Sequence, residues 1–266
     1  MLQALTFLGL WALVYAVLLL VYFTVGWALL RINRRYPERQ IHGLNGRDRR
    51  SRMSAGEEIR QSLKALAATA FCTAGGLYMQ HLGWTQTPLA MTPVSLLWTF
   101  AVAVVLQDAW LYFQHRLMHM KPLYRRFHRR HHLSVAPSVW SNNAFTVTDA
   151  FLIQAFFLVL PFILPIPPLA LIGMRLFDEV RGLIGHAGHE HFAGRLARAP
   201  WPFIAVLHHE QHHQYFDVNF GNQFSFWDRI CGTLHPSYDR LVMALEKGVA
   251  PADLRAEPAK SAEHSA

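Results

Sequence analysis

Eight of the sixteen histidines fall in three short clusters: His115-x-x-x-His119, His128-x-x-His131-His132 and His209-x-x-His212-His213. Residues three and four apart on a helix are neighbours, so the imidazoles of one cluster can share a face and converge on one point. Neutral imidazole suits iron, zinc, copper and nickel, and a structural zinc closes its shell with about four ligands. Eight clustered histidines exceed the needs of one ion, and two metal ions are expected. An oxygen-only shell would favour magnesium or manganese, whereas a pair of irons can use O2 against unactivated C–H bonds. Soluble di-iron bundles take Glu and Glu-x-x-His ligands, and histidines at helix ends can meet the same geometry. The isolated His42, His81, His235 and His264 read as ordinary interior or surface residues.

A rival pattern sits inside the third cluster. His209-Glu210-Gln211-His212-His213 satisfies H-E-x-x-H, in which two histidines hold zinc and the glutamate is the general base of a metalloprotease. That reading needs one further ligand and leaves His115, His119, His128, His131 and His132 without a task. Metal storage or transport is a third class, but transport would place its ligands along the spans rather than beyond their ends.

The elements that must carry these residues look membrane-bound. The chain is 52% hydrophobic and 16% charged. Met1 to Leu30 holds no charge and is long enough to span as an anchor; the basic residues follow the apolar run, unlike those of a secretory signal. Arg31, Arg34, Arg35, Arg39, Arg47, Arg49, Arg50 and Arg52 then place this loop in the cytoplasm and the N-terminus outside. Ala65 to Gln107 lacks Lys, Arg, Asp and Glu, and Gly83 to Pro93 breaks it, so two spans are expected. Ala150 to Met174 is uncharged but interrupted by Pro161, Pro165, Pro167 and Pro168, and either spans as a hairpin or re-enters. The expected fold is all-α, an integral membrane protein of about four transmembrane spans. A cytoplasmic helical cap then carries the multi-histidine di-metal site. Residues 1–245 read as one domain and 246–266 as a disordered tail.

Net charge is +8, but much of the excess lies beside apolar stretches, which points to lipid headgroups rather than nucleic acid. Arg125, Arg126, Arg129 and Arg130 interleave with the second cluster and fit a headgroup, an acidic electron-transfer protein or a plain surface band. Cys72 and Cys231 suggest neither a disulfide nor a thiolate metal site. Asp108, Tyr112, His115 and His119 follow one helical stripe, so Asp108 is a candidate to accept the ring N–H of a ligand histidine. Asn219 and Asp228 are weaker candidates and equally turn or capping residues. Trp98, Phe145, Phe151, Phe156 and Phe157 are candidates for choosing substrate, or for packing.

Around the clusters the sequence resembles a known family. Asp108-Ala-Trp-Leu-Tyr-Phe-Gln-His-Arg-Leu-Met-His119, Phe127-His-Arg-Arg-His-His132 and His209-Glu-Gln-His-His213 resemble the histidine boxes of the fatty acid hydroxylase and sterol desaturase superfamily. Asn219-Phe-Gly221 and Phe226-Trp-Asp-Arg-Ile-Cys-Gly-Thr233 resemble the stretches after its last box, so the likeness runs from Asp108 to Pro236. It implies a non-haem enzyme with two iron ions and O2 as co-substrate that hydroxylates or oxidises a membrane lipid of sterol or fatty-acyl type, with desaturation the alternative. The eight clustered histidines carry over as ligands, and Gly185-His186 matches the segment that supplies another. Where some relatives have a tenth, this chain has Glu190 flanked by His189 and His191, and His208 is a further candidate. No dinucleotide fingerprint, haem segment or iron–sulfur motif occurs, so electrons are expected from a separate ferredoxin or cytochrome with its reductase.

Overall fold

A computed structural model of the protein describes residues 2–44 and 51–256. Arg47, Arg49 and Arg50 of the basic loop, and residues 257–266 of the expected tail, lie outside them. Among the described residues there is no β-strand, only the isolated bridges Gln40 to His189 and Phe203 to Phe224.

Helix α1 (Leu2–Arg35) is 34 residues long, and Leu18, Tyr22, Gly26 and Asn33 are its buried residues. Leu2, Leu5, Leu13 and Leu20 are exposed, an apolar surface that water would penalise. Helix α2 (Ala55–His81) begins at a capping box of Ser54 and Glu57, ahead of the uncharged stretch, so its first turns carry Glu57, Glu58, Arg60 and Lys64. Helix α3 (Pro93–Met118) starts at a second capping box, Thr92 with Ser95, and has Pro93 in its first turn, where no N–H is missed. Helices α1 and α3 are long and apolar enough to cross a membrane by length and composition.

A single turn α4 (Lys121–Leu123) runs into a π-helical turn at Tyr124–His128 and a 3₁₀ turn at His131–Leu133. Helices α5 (Val147–Gln154) and α6 (Phe156–Ile163) form a short apolar pair broken at Ala155. Helix α7 (Pro168–Gly185) follows, then α8 (Val206–Tyr215), which stops at Phe216 in the left-handed region with φ 71°. The chain continues through α9 (Phe226–Ile230), α10 (Tyr238–Glu246) and α11 (Pro251–Ala256). Within the stretch expected to be a disordered tail, α11 is therefore ordered: Leu254, 6% exposed, packs with Ile41, Leu44 and Leu241.

The helices form two hairpins whose bends meet. The Gln86 N–H donates to the Pro161 carbonyl and the Leu89 N–H to the Pro165 carbonyl, so the α2–α3 loop pairs with the α6–α7 loop. Helix α1 runs alongside, with its start held by Tyr78 OH to the Gln3 carbonyl and its end by Asn33 Nδ2 to the Ala187 carbonyl. Every histidine cluster consequently lies at one end of the bundle. Phe156, Phe157, Leu160, Leu171 and Met174 form its core against α3. A Cβ at Gly76 would lie 2.2 Å from the Phe157 carbonyl oxygen, so the α2 glycine is what lets α6 approach.

Candidate metal centre

The last turn of α3 presents His115 and His119, the irregular turns after α4 present His128, His131 and His132, α7 ends at His186, and α8 carries His209, His212 and His213. The structure gathers all nine into two groups. His115, His119, His128, His132 and His212 form one; His131, His186, His209 and His213 form the other, each with ligand atoms within 4.8 Å of one another.

This division corrects the expectation that each sequence cluster converges on one point. The i,i+4 pairs 115/119, 128/132 and 209/213 stay together, while His131 and His212 cross to the opposite group. The cause is helical geometry: successive residues point about 100° apart, so His131 and His132 cannot face one ion. The second cluster is also not on a regular α-helix, since π and 3₁₀ turns carry it.

Five of the rings have their tautomer fixed by an oxygen acceptor. Nδ1–H of His115 donates to the Phe220 carbonyl at 3.2 Å, that of His212 to Val218 at 2.7 Å, and that of His128 to Asp149 Oδ2 at 2.7 Å. In the second group, Nδ1–H of His186 donates to the Gly182 carbonyl at 2.8 Å and that of His213 to Ser134 at 3.0 Å. Their Nε2 atoms therefore carry lone pairs. Those of His115 and His128 face each other at 3.1 Å with both protons committed elsewhere, an arrangement without a hydrogen and suited to a cation. In the second group His209 Nε2 lies 2.9 Å from His186 Nε2 and 3.0 Å from His213 Nε2. Burial also holds His131, His132, His209, His212 and His213 well below the ordinary imidazole range, and His186 down to about 4. Those six rings are thus neutral and available to metal, and an all-imidazole donor set fits iron or another borderline transition ion.

The other candidates stand around these groups rather than in them. Asp108 Oδ1 accepts the backbone N–H of Gln223 at 2.8 Å and of Phe224 at 3.0 Å, so it fixes a loop and touches no ligand histidine. The role foreseen for it belongs to Asp149, fully buried against His128. Glu190 accepts from Phe192 N and Leu207 N, both at 2.8 Å. His189 pairs with the Ala187 carbonyl, His191 with Asn33 Oδ1, and His208 Nε2 with Asp228 Oδ2 at 3.0 Å. Glu210 turns to His42 Nδ1, at 3.0 Å, and to Gln214, away from both groups, where a protease base could not act.

The stretch after α8 explains its own motifs. Asp228 accepts from Phe220 N, Gly221 N and Thr233 Oγ1. Asn219, at φ 57°, donates to the His208 carbonyl and Gln211 Oε1 and accepts from His235 N. Together they hold the Val218 and Phe220 carbonyls that orient His212 and His115. A Cβ at Gly221 would come within 2.4 Å of the Phe224 carbonyl, so no larger residue fits that fold of the loop. Among the aromatic candidates, Phe145 stacks on His131 with centroids 4.1 Å apart and lines a cavity beside the histidines. Phe156 and Phe157 belong to the bundle core, and Trp98 and Phe151 are on the outside.

Sequence comparison agrees with this site. The fatty acid hydroxylase family matches residues 100–233, half of the chain. Lathosterol oxidase of Mus musculus is 33% identical over 132 residues, 49% of this chain and 43% of that protein. A probable Delta(7)-sterol 5(6)-desaturase of Neurospora crassa is 27% identical over 181 residues, 66% and 51% of the two chains. Methylsterol monooxygenase 1 of Rattus norvegicus is 31% identical over 144 residues, 51% and 48%. The matches thus span about half the length of these relatives. No solved structure matches the chain.

Proposed function

Because this chain belongs to the fatty acid hydroxylase family, we propose that it is an O2-dependent oxidoreductase that hydroxylates or oxidises a C–H bond of a membrane lipid. The observation that carries this is the division of nine histidines, six of them buried, into two adjacent groups of converging ring nitrogens. Held there, two iron ions would supply the activation of O2 that attack on an unactivated C–H bond requires. The chain's own part is positional. Carbonyls of Gly182, Ser134, Val218 and Phe220 and the carboxylate of Asp149 hold five of the nine rings by the nitrogen that faces away from the metal. Phe145, Phe216 and Phe220 pack on the rings and limit water.

The relatives that carry the names of sterol oxidases, desaturases and a monooxygenase support a sterol-like or acyl lipid, with hydroxylation or stepwise oxidation favoured and desaturation the alternative. The reading includes a single domain in the membrane, extended past the expected boundary at residue 245 by α11, whose Leu254 packs on the same core. It has about four spans, made by α1, α2, α3 and the α5–α6–α7 hairpin. The histidine end lies in the cytoplasm beside the exposed Arg125, Arg126, Arg129 and Arg130. These arginines suit an acidic ferredoxin or cytochrome as electron donor.

The test is to supply the iron-loaded, detergent-purified protein with a chemical or enzymatic reductant, a total lipid extract and isotopically labelled O2. Label in a lipid hydroxyl, or O2-dependent loss of two hydrogens from a lipid, is expected. A lipid profile that does not change with O2 would contradict the proposal.

A further inference from the structure

Charge buried beside apolar helices is costly, yet this chain keeps a group of it next to the histidines. Arg175, Asp178 and Glu179, on one face of α7, are 2%, 7% and 0% exposed. The Arg175 guanidinium donates to Asp178 Oδ2, to Glu179 Oε2 and, at 2.7 Å, to Gln154 Oε1. Asn143 Nδ2 donates to Glu179 Oε1 at 2.6 Å, and the ring of Phe157 covers the guanidinium at 5.4 Å. Two carboxylates oppose one guanidinium; the amides of Gln154 and Asn143 also donate to them, and an ionised carboxylate has about four acceptor sites, so capacity for a further donor remains. Packing alone does not call for such a group, since apolar residues of equal volume commonly serve as well or better.

Its position supplies a use. Arg175, Asp178, Glu179, Gln154 and Asn143 form one wall of a cavity of about 80 Å3, and His115, His128, His131, His186 and His209 stand on the same cavity. A single water needs about 10–15 Å3 by this measure, so the space admits a small polar end group and the carbons beside it. A larger cavity of about 470 Å3, lined by Val104, Phe177, Phe203 and Phe224, touches the same helix at Phe177 and Arg181. A narrow space between them shares Arg181 and Ile204 with the large cavity and Gly182, His186 and His209 with the small one. The three spaces therefore adjoin in series, the large apolar one at one side and the charged wall at the other, with His186 and His209 between.

The geometry points to Asp178 and Glu179, held by Arg175, as the seat of a hydroxyl group on the substrate, which enters polar end first and leaves its hydrocarbon in the outer cavity. This rests on the lipid-oxidising reading above. A hydroxyl donates its proton to a carboxylate oxygen and remains uncharged. An alkyl end would desolvate the carboxylates and return nothing, and a carboxylate would meet two like charges. The carbons set before the histidines are then those next to the hydroxyl, and the wall determines specificity.

The test uses the full-length, iron(II)-loaded protein in detergent under anaerobic conditions, with binding read from ligand-dependent shifts in the unfolding midpoint. Dodecanol, dodecane and dodecanoate are the probes. Dodecanol should bind roughly tenfold to a hundredfold more tightly than either of the others, as expected where a buried site is built around a hydroxyl. Asp178→Asn should bring dodecanol and dodecane close together while bound iron stays unchanged. If that variant does not fold, the wild-type series decides the matter. Equal binding of dodecanol and dodecane, or preference for dodecanoate, overturns the inference. A protein that oxidises lipid without this preference overturns the hydroxyl seat alone. One that keeps the preference but oxidises no lipid leaves the seat standing and overturns the functional reading.

Discussion

At the scale of single residues, the site is an exercise in fixing imidazoles by their outer nitrogen. His128 is the clearest case, because its partner Asp149 is a carboxylate with no exposure to solvent. Removing such a partner frees the ring to rotate and lowers its basicity, which typically costs about 10–100-fold in metal affinity. Asp149→Asn should show a loss of that size in competition with a metal buffer; unchanged affinity would mean that packing alone orients His128. The two groups can be separated in the same way. His212→Ala should weaken retention in the five-histidine group and His131→Ala in the four-histidine group, each variant losing activity and part of its metal while remaining in the membrane. Either variant turning over normally would refute the assignment of its ring.

At the scale of elements, the bundle places helix ends, and small residues decide how closely they meet. Gly76 on α2 sits where a Cβ would collide with the backbone of α6, and overpacking of this kind costs about 1–3 kcal/mol. Gly76→Val should lower the unfolding midpoint, whereas a valine at the open Gly173 on α7 should do much less; equal effects would contradict the close approach. The three sequence clusters were legible because their spacing is local. The helices α1 and α3 were legible because an uncharged run leaves few other forms for the chain. The division of the clusters between two groups was not read, although the 100° step between neighbours contains it. Carbonyls of Gly182, Ser134, Val218 and Phe220 leave no mark in a sequence, since every residue carries one. Asp149 did leave a mark, a lone acid at the head of an uncharged run, but the stripe from Asp108 to His119 drew the role to the wrong carboxylate. Asp108 lies two turns above His115 and meets residues 223–224 instead.

For the whole molecule, the eight grouped histidines that burial holds below the ordinary imidazole range tie folding to protons and metal. Their protonation is suppressed in the fold, so below the ordinary imidazole value of about 6.5 the unfolded chain binds more protons than the folded one. Stability is then present above that value and lost as pH falls towards about 4, the value to which His186 is pushed down. The chelated protein should show an unfolding midpoint that drops steadily across this window, and the loaded protein should release metal over the same range. A midpoint independent of pH there would mean that the rings are not held neutral by burial. The lipid-oxidising account of the entire chain rests on what those rings hold. Elemental analysis of the detergent-purified protein from iron-replete cells, with Mössbauer spectroscopy on the same sample, measures this directly. About two iron ions per chain with a coupled signal are expected from two adjacent all-imidazole groups. About one zinc per chain and no iron would contradict it.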